Sequence, residues 1–472
     1  MSTRALTFPT HTRPQAATRR PVARAVAIAL LGFGLAAGSA SAMAENLLEL
    51  LDAAKGYDAA YLSARAQAES VAFQAAQARG LQRPSVNLQA SVNRNHFDSN
   101  APTFVNPLTG LRTSYSSTAT TSRVGVSARQ PLYNPGNSAK IDQADQSLAV
   151  AEADLQSATN DLTVRVTQAY FDVLGAQDAL STSQANKAAL AEQLAAAKRS
   201  FEVGNATITD TREAQARHDL ASAQEIAAAN DLRVKRAALD QLVGRSNVTP
   251  APLRTPVTLD TLSPGDVESW VGQASTAPNV RKAELALKVA TLEIDKARAG
   301  NLPTVDAVAN LVRSDVNSDN INAKISGAAG TNASLGVEVN MSLYAGNATQ
   351  NRIKEVLQLK EKAEHDVDNA RRGVTLGTRQ AYFGVQSGLA QVKAYEAAEA
   401  SAKLALEATQ LGYRVGVRIN KDVLDAQTQL SNTQKDLFKA RYDVIVGSVR
   451  LKQASGTLQA DDLAQLNKLL AN

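Results

Sequence analysis

Two periodicities alternate along the chain. The apolar positions Ile141, Ala144, Leu148, Ala151, Leu155, Ala158 and Leu162 recur at steps of three and four, the spacing of a helix face packed in heptads. The same phase returns 212 residues later at Ile353, Val356, Lys360, Ala363, Val367, Ala370 and Val374, broken once by Lys360. No proline lies between Gly136 and Thr249, or after Pro303. The pattern predicts a helix of about 60 residues in each place, about 90 Å long at 1.5 Å per residue. Gly204 and Gly416 mark turns from which a second helix runs back, to about Leu242 and about Lys452. Each half of the chain thus carries a long helical hairpin.

Ahead of each hairpin the period drops to two. Val86, Leu88, Ala90 and Val92 alternate with Asn87, Gln89, Ser91 and Asn93; Val124, Val126 and Ala128 alternate with Gly125, Ser127 and Arg129. Leu335, Val337, Val339 and Met341 alternate with Gly336, Glu338, Asn340 and Ser342, while the stretch from Thr304 is less regular because Val308 and Val312 fall on its polar side. These patterns predict strands over about 84–94, 121–133, 303–313 and 332–344, with polar loops over Arg94–Thr121 and Arg313–Asn332. Strands of this length, closed by Tyr133 and Tyr344, suit a tilted bilayer crossing with an aromatic at the interface. The alternation also fits a soluble antiparallel sheet with one wet face. If the strands lie in lipid, four cannot close a barrel, because closed single-chain barrels begin at about eight strands. Two copies would supply eight and three would supply twelve, and the pattern alone does not choose.

The halves are repeats. "AYFDVLGAQ" at Ala169 answers "AYFGVQSGL" at Ala381, Phe201-x-Val203-Gly204 answers Tyr413-x-Val415-Gly416, and Asp210 answers Asp422. "PLYNPGN" at Pro131 pairs with "SLYAGN" at Ser342. The expected organisation is a first repeat over 45–246 with its hairpin at about 137–244, and a Pro-rich connector over 247–266. A second repeat follows over 267–458 with its hairpin at about 347–455, then a short segment over 459–472.

Charge and composition sharpen this picture. Arg4, Arg13, Arg19, Arg20 and Arg24 precede the apolar run Ala25–Ala37 and the small-residue stretch ending at Ala44, which reads as a secretory signal peptide over 1–44, with cleavage after Ala42 fitting nearly as well. The whole chain carries 50 basic and 45 acidic side chains; the five leader arginines account for the excess, so the remainder is neutral and nucleic acid is not an implied partner. There is no cysteine, hence no disulfide, thiolate site or lipid-anchor cysteine, and aromatics are only 4% of the residues. Small residues at that density suit close-packed long helices. His96, His218 and His365 stand far apart without metal-ligand spacing, and no Walker, H-E-x-x-H or G-x-S-x-G motif occurs, so neither cofactor nor enzymatic activity is expected.

With "SFEVGNATITD", "GYRVGVRINKDVLDAQTQL" and the paired "AYF" segments in place, the chain resembles the TolC family of outer-membrane efflux and type I secretion channels. The resemblance covers nearly all of the chain after the leader. It implies an α+β membrane protein: a homotrimer with a twelve-stranded transmembrane β-barrel in the outer membrane, continuous with a periplasmic barrel of long helices and a mixed equatorial belt. It implies a passive exit duct for drugs or proteins, engaging a periplasmic adaptor and an inner-membrane RND or ABC transporter. The alternative is a structural coiled-coil surface or periplasmic protein without channel activity. The family's long C-terminal tail is not matched before Asn472, and Asn420-Lys421 stand where apolar residues are usual.

The site residues come from the same resemblance. Asp422 and Asp425 match the aspartate rings that line the family's aperture. Glu213 aligns with Asp425 and would add an acidic ring, giving a cation-selective opening that Lys421 softens. Tyr413, Arg418, Thr209 and Asp210 match the network that pins the closed tips, with Arg418 reaching Asp210 on a neighbouring hairpin. The simpler reading of Asp210 is a helix cap, with Asp210-x-x-Glu213 at capping-box spacing.

Overall fold

The computed structural model describes residues 45–105, 112–254, 257, 259, 262–318 and 329–471. The leader reading falls outside these residues. From Glu45 onward, two helices, α1 (Leu47–Tyr57) and α2 (Ala59–Arg79), lead to β1 (Ser85–Val105) and β2 (Arg112–Tyr133). Then come α3 (Pro135–Glu202), α4 (Ile208–Val243), α5 (Val267–Gln273) and α6 (Pro278–Ala299). The chain ends with β3 (Thr304–Ser318), β4 (Ala329–Asn340), α7 (Ala348–Arg414), α8 (Asn420–Ala454) and α9 (Ala460–Lys468). At 68 and 67 residues, α3 and α7 span about 100 Å each. The four strands form one antiparallel sheet in the order β1-β2-β3-β4.

The heptad phase read from the sequence is the packed face. Val356 and Val367 are buried on α7, and Ile353, Ala363, Ala370 and Val374 are half-buried between exposed neighbours. Lys360 keeps the face by laying its stem down and pairing its ammonium with Glu364 one turn on. Below the sheet, α6 packs against both α3 and α7, and α2 packs on α3; farther down, α4 lies along α3, α8 along α7, and α3 meets α8. Glu293 ties the upper junction by accepting from Lys296 (2.6 Å), Gln143 of α3 (2.7 Å) and Arg352 of α7 (2.7 Å). Burial works to raise its carboxyl, but these donors outweigh it and pull the pKa down to about 2.

The strands are longer than the apolar alternation implied. β1 continues through Arg94 to Val105 and β2 begins at Arg112, so most of the expected polar loop is ladder; β3 likewise runs to Ser318 and β4 starts at Ala329. Ladder hydrogen bonds need no apolar face, and the Thr- and Ser-rich stretch from Arg112 has the β-branched content that suits extended chain. At the other end β4 stops at Asn340, short of Tyr344, because Thr304 opposite Asn340 is the last pair and Pro303 has no N–H to extend the ladder. Register explains the irregular third strand. Val312 pairs with Gly125, where a Cβ would fall 2.9 Å from the valine Cγ2, and Val308 pairs with Gly336. Gly125 thus makes room for Val312 on the polar side, whereas the space beside Gly336 is open. On that face Asp306 sits opposite Glu338, a repulsive pairing that Arg129 bridges at 3.0 and 3.5 Å.

A third level, at mid-height, holds the main core. Leu47, Leu50, Tyr170, Phe171, Leu239, Ile445, Val449, Leu463 and Leu470 bury together where α1, α3, α4, α8 and α9 converge. The connector is laced into it: Glu45 N–H donates to Thr249 O (3.0 Å), and Arg254 N–H to Leu469 O (2.9 Å). The repeated "AYF" tyrosines anchor the connector twice, Tyr170 Oη donating to Ala251 O (3.0 Å) and Tyr382 Oη to Gly265 O (2.6 Å). Trp270 of α5 is buried beside Tyr382 and donates through Nε1 to Pro264 O (2.8 Å). Gly456 ends α8 at φ +72°, where a Cβ would lie 2.5 Å from Ala277 Cα. Gly456→Ala should therefore cost about 2–3 kcal/mol in thermal unfolding, from left-handed strain plus a backbone clash.

Candidate functional site at the hairpin tips

The far ends of the two hairpins are built alike. Gly204 and Gly416 adopt φ +82° and +83°, and each turn is closed by the same bonds: Gly204 N–H to Phe201 O (3.0 Å) and Asn205 N–H to Ser200 O (2.7 Å), Gly416 N–H to Tyr413 O (3.1 Å) and Val417 N–H to Gly412 O (2.9 Å). This is the glycine-terminated helix end that leaves few orphan carbonyls. Glycine is required for the left-handed residue in both.

The helices that leave the turns start differently. Thr207 caps α4 through a capping box: Asp210 N–H donates to Thr207 Oγ1 (3.2 Å) and Thr207 N–H to Asp210 Oδ2 (3.0 Å). The box therefore lies three residues earlier than Asp210-x-x-Glu213, with Asp210 as its N3 member, because the helix begins at Ile208. α8 starts after Ile419, whose side chain has no acceptor, and its first residue Asn420 is 3% exposed with neither amide atom partnered among the described residues. Such a group costs about 1–3 kcal/mol. The sequence singled out Asn420 for its polarity and gave no sign that it would be buried.

The carboxylates are not bare. Both oxygens of Asp425 are covered: Arg217 Nη2 of α4 donates to Oδ1 (2.6 Å) and Lys421 Nζ to Oδ2 (2.5 Å). The bond to Asp425 raises the Lys421 ammonium above the usual lysine range, and the nearby Glu213 charge adds to the shift. From the turn before α8, Arg418 Nη1 stands 3.6 Å from Asp422 Oδ2 in the first turn of that helix. Within one chain, therefore, Arg418 faces Asp422, and Asp210 faces its own cap. Thr209 is exposed, and Tyr413 is half-buried against Leu406, Val423 and Leu430. The sequence reading missed Arg217, which lies in the first repeat where the second has Gln429; only the fold brings it to Asp425. Among the described residues, no group of three or more His, Cys, Asp or Glu is placed to hold a metal ion. His96 bonds Thr118 on the sheet (3.0 Å), and His218 lies 3.4 Å from Asp219 on α4.

Known proteins carry the same architecture. Residues 50–245 and 273–457 match the outer membrane efflux protein family, the two segments falling on either side of the connector. The chain belongs to that family. It is 33% identical to the outer membrane protein TolC of Vibrio cholerae over 91% of this chain and 94% of the relative. It is 31% identical to the alkaline protease secretion protein AprF of Pseudomonas aeruginosa over 72% and 70%. The Campylobacter jejuni CmeC outer membrane channel shares the fold at a TM-score of 0.72 and 17% identity, covering 90% of each chain. As an outer membrane efflux protein the chain resides in the outer membrane and serves as an exit duct. Among the described residues no helix is long and apolar enough to cross a membrane.

Proposed function

We propose that three copies of the chain assemble into one duct, its sheets closed into a twelve-stranded barrel in the outer membrane and its hairpins forming a periplasmic tunnel. The sheet carries the argument. β1 and β4 are both edge strands, and Val86, Leu88, Leu335, Val337 and Val339 stand exposed on one face. Neither an open edge nor a four-stranded sheet is tolerated in lipid, so the edges need neighbours, and β1 of one copy against β4 of the next supplies them. Export proceeds passively through the duct, with an adaptor and an inner-membrane RND or ABC transporter supplying cargo and energy. Either small drugs or proteins suit such a passage. The test is a heat-modifiable trimer on gels with conductance in planar bilayers; a soluble monomer without conductance overturns the proposal.

Closure belongs to the tips. Among the described residues the Asp210 cap uses Oδ2 alone, which leaves Oδ1 for a charge-assisted contact from Arg418 of an adjacent copy. Arg418→Ser with Tyr413→Phe is expected to raise single-channel conductance several-fold, and unchanged conductance would count against the pin.

A further inference from the structure

The tips expected to be acidic are electrically balanced. Residues 205–217 and 416–425 carry four carboxylates, Asp210, Glu213, Asp422 and Asp425, and four cations, Arg212, Arg217, Arg418 and Lys421. Their placement is specific. Asp425 is held from two helices at once, by Arg217 at 2.6 Å and Lys421 at 2.5 Å, and neither of its oxygens is left open. All three side chains remain partly exposed, at 31% for Arg217, 51% for Lys421 and 42% for Asp425, so their charges face solvent as a group. Glu213 acts on Lys421 and is absorbed into the same balance.

We infer that Arg217 and Lys421 are selectivity-determining residues of the aperture: they cancel Asp425, hold the opening near even preference between small cations and anions, and deny multivalent cations a carboxylate ring to bind. The inference rests on the duct reading. It does not need the ion pairs to be strong. Exposed pairs stabilise a protein by only about 0–1 kcal/mol. A permeating ion responds instead to the summed field of the groups around the opening. Charges 2.5–2.6 Å apart lie well inside the Debye length of about 8 Å at physiological salt, so the passing ion meets them as one group. A multivalent cation would also have to displace two tethered donors from Asp425 before it could coordinate there. Glu213 then offsets part of the basic excess rather than forming an extra acidic ring, which revises the expectation drawn from its alignment with Asp425.

The experiment is planar-bilayer recording in a potassium chloride gradient, with lanthanum(III) added as the multivalent probe. Arg217→Gln with Lys421→Gln removes two positive charges per chain. The potassium-to-chloride permeability ratio should rise roughly fivefold, and half-block by lanthanum should need roughly tenfold less ion. Adding Asp425→Asn to that pair should return both readings most of the way to wild type. Each single variant should give a partial shift in the same direction, which keeps the test available if the double variant does not assemble. Lys439→Gln, about 27 Å along the same helix from Lys421, is the control and should change neither reading. Conducting channels whose selectivity is unmoved by the double variant, or moved equally by Lys439→Gln, overturn the inference while leaving the duct intact. A wild-type chain that forms no conducting channel overturns the duct reading itself and this inference with it.

Discussion

Leu335→Arg is expected to remove the chain from the outer-membrane fraction, whereas Ser334→Arg, one residue away, should leave it there. Leu335 lies in the row Val86–Ala128–Ala309–Leu335, apolar in every strand, and is 85% exposed in the single chain. Ser334 lies in the next row, Asn87–Ser127–Asn310–Ser334, polar in every strand and pointing to the opposite face. Arginine on the lipid side of a barrel costs about 2–4 kcal/mol near the midplane, and the penalty recurs in every copy of the assembly. Arginine on the other side meets water and should alter conductance alone. Fractionation with gel mobility reads the difference. Equal insertion of the two variants would mean that the Leu335 face does not meet lipid, and the closed-barrel proposal would fall with it.

The second large effect is at mid-height. Asp58 accepts three hydrogen bonds with one carboxylate: it caps α2 by accepting from Tyr61 N–H (2.8 Å), and it takes both arms of the Arg165 guanidinium at 2.8 Å. Its side chain is 10% exposed and that of Arg165 is 43% exposed. Asp58→Ala should destabilise the fold by about 3 kcal/mol, combining a lost cap of about 1 with lost charge-assisted bonds of about 1.5–3. The half-exposed arginine recovers part of its hydration, which keeps the loss below that of a fully buried pair. The Arg165 bond, ahead of the opposing burial, holds the Asp58 carboxyl below its ordinary 3.8. A carboxylate depressed on folding stabilises fully above the unfolded pKa and loses that contribution as pH falls through the folded one. The melting-temperature gap between wild type and Asp58→Asn should therefore be widest near neutrality and shrink below about pH 4. A gap that widens in acid would refute the assignment.

The long helices and their turns were legible because each rests on local rules repeated over many residues. A heptad phase, the absence of proline and one glycine per turn suffice, and the 212-residue repeat states them twice. The strands were legible only where one face is apolar; the extension of β1 and the Ser- and Thr-rich extension of β2 form the same ladder without that mark. The anomaly at Val312 could not be resolved from one strand, since its reason lies in Gly125 of the neighbour. The tip shows the same limit. Glycines, aspartates and the tyrosine were visible as repeat partners, yet the ion pairing of Asp425 depends on Arg217, 208 residues away. Spacing within a helix finds Lys421; it says nothing about a cation delivered from the other hairpin. α1, α2, α5, α6 and α9 went unread, although α1 opens with Leu47, Leu48, Leu50 and Leu51.

Trp270 is the chain's single tryptophan, packed at 4% exposure against Tyr382 and tied to Pro264. Intrinsic fluorescence is consequently a local gauge. Its emission should be blue-shifted while the equatorial knot is intact and should redden only when that knot loosens. Fraying at the glycine turns or detachment of the strands would pass unseen in that signal, so a quiet tryptophan certifies the waist of the molecule and neither of its ends.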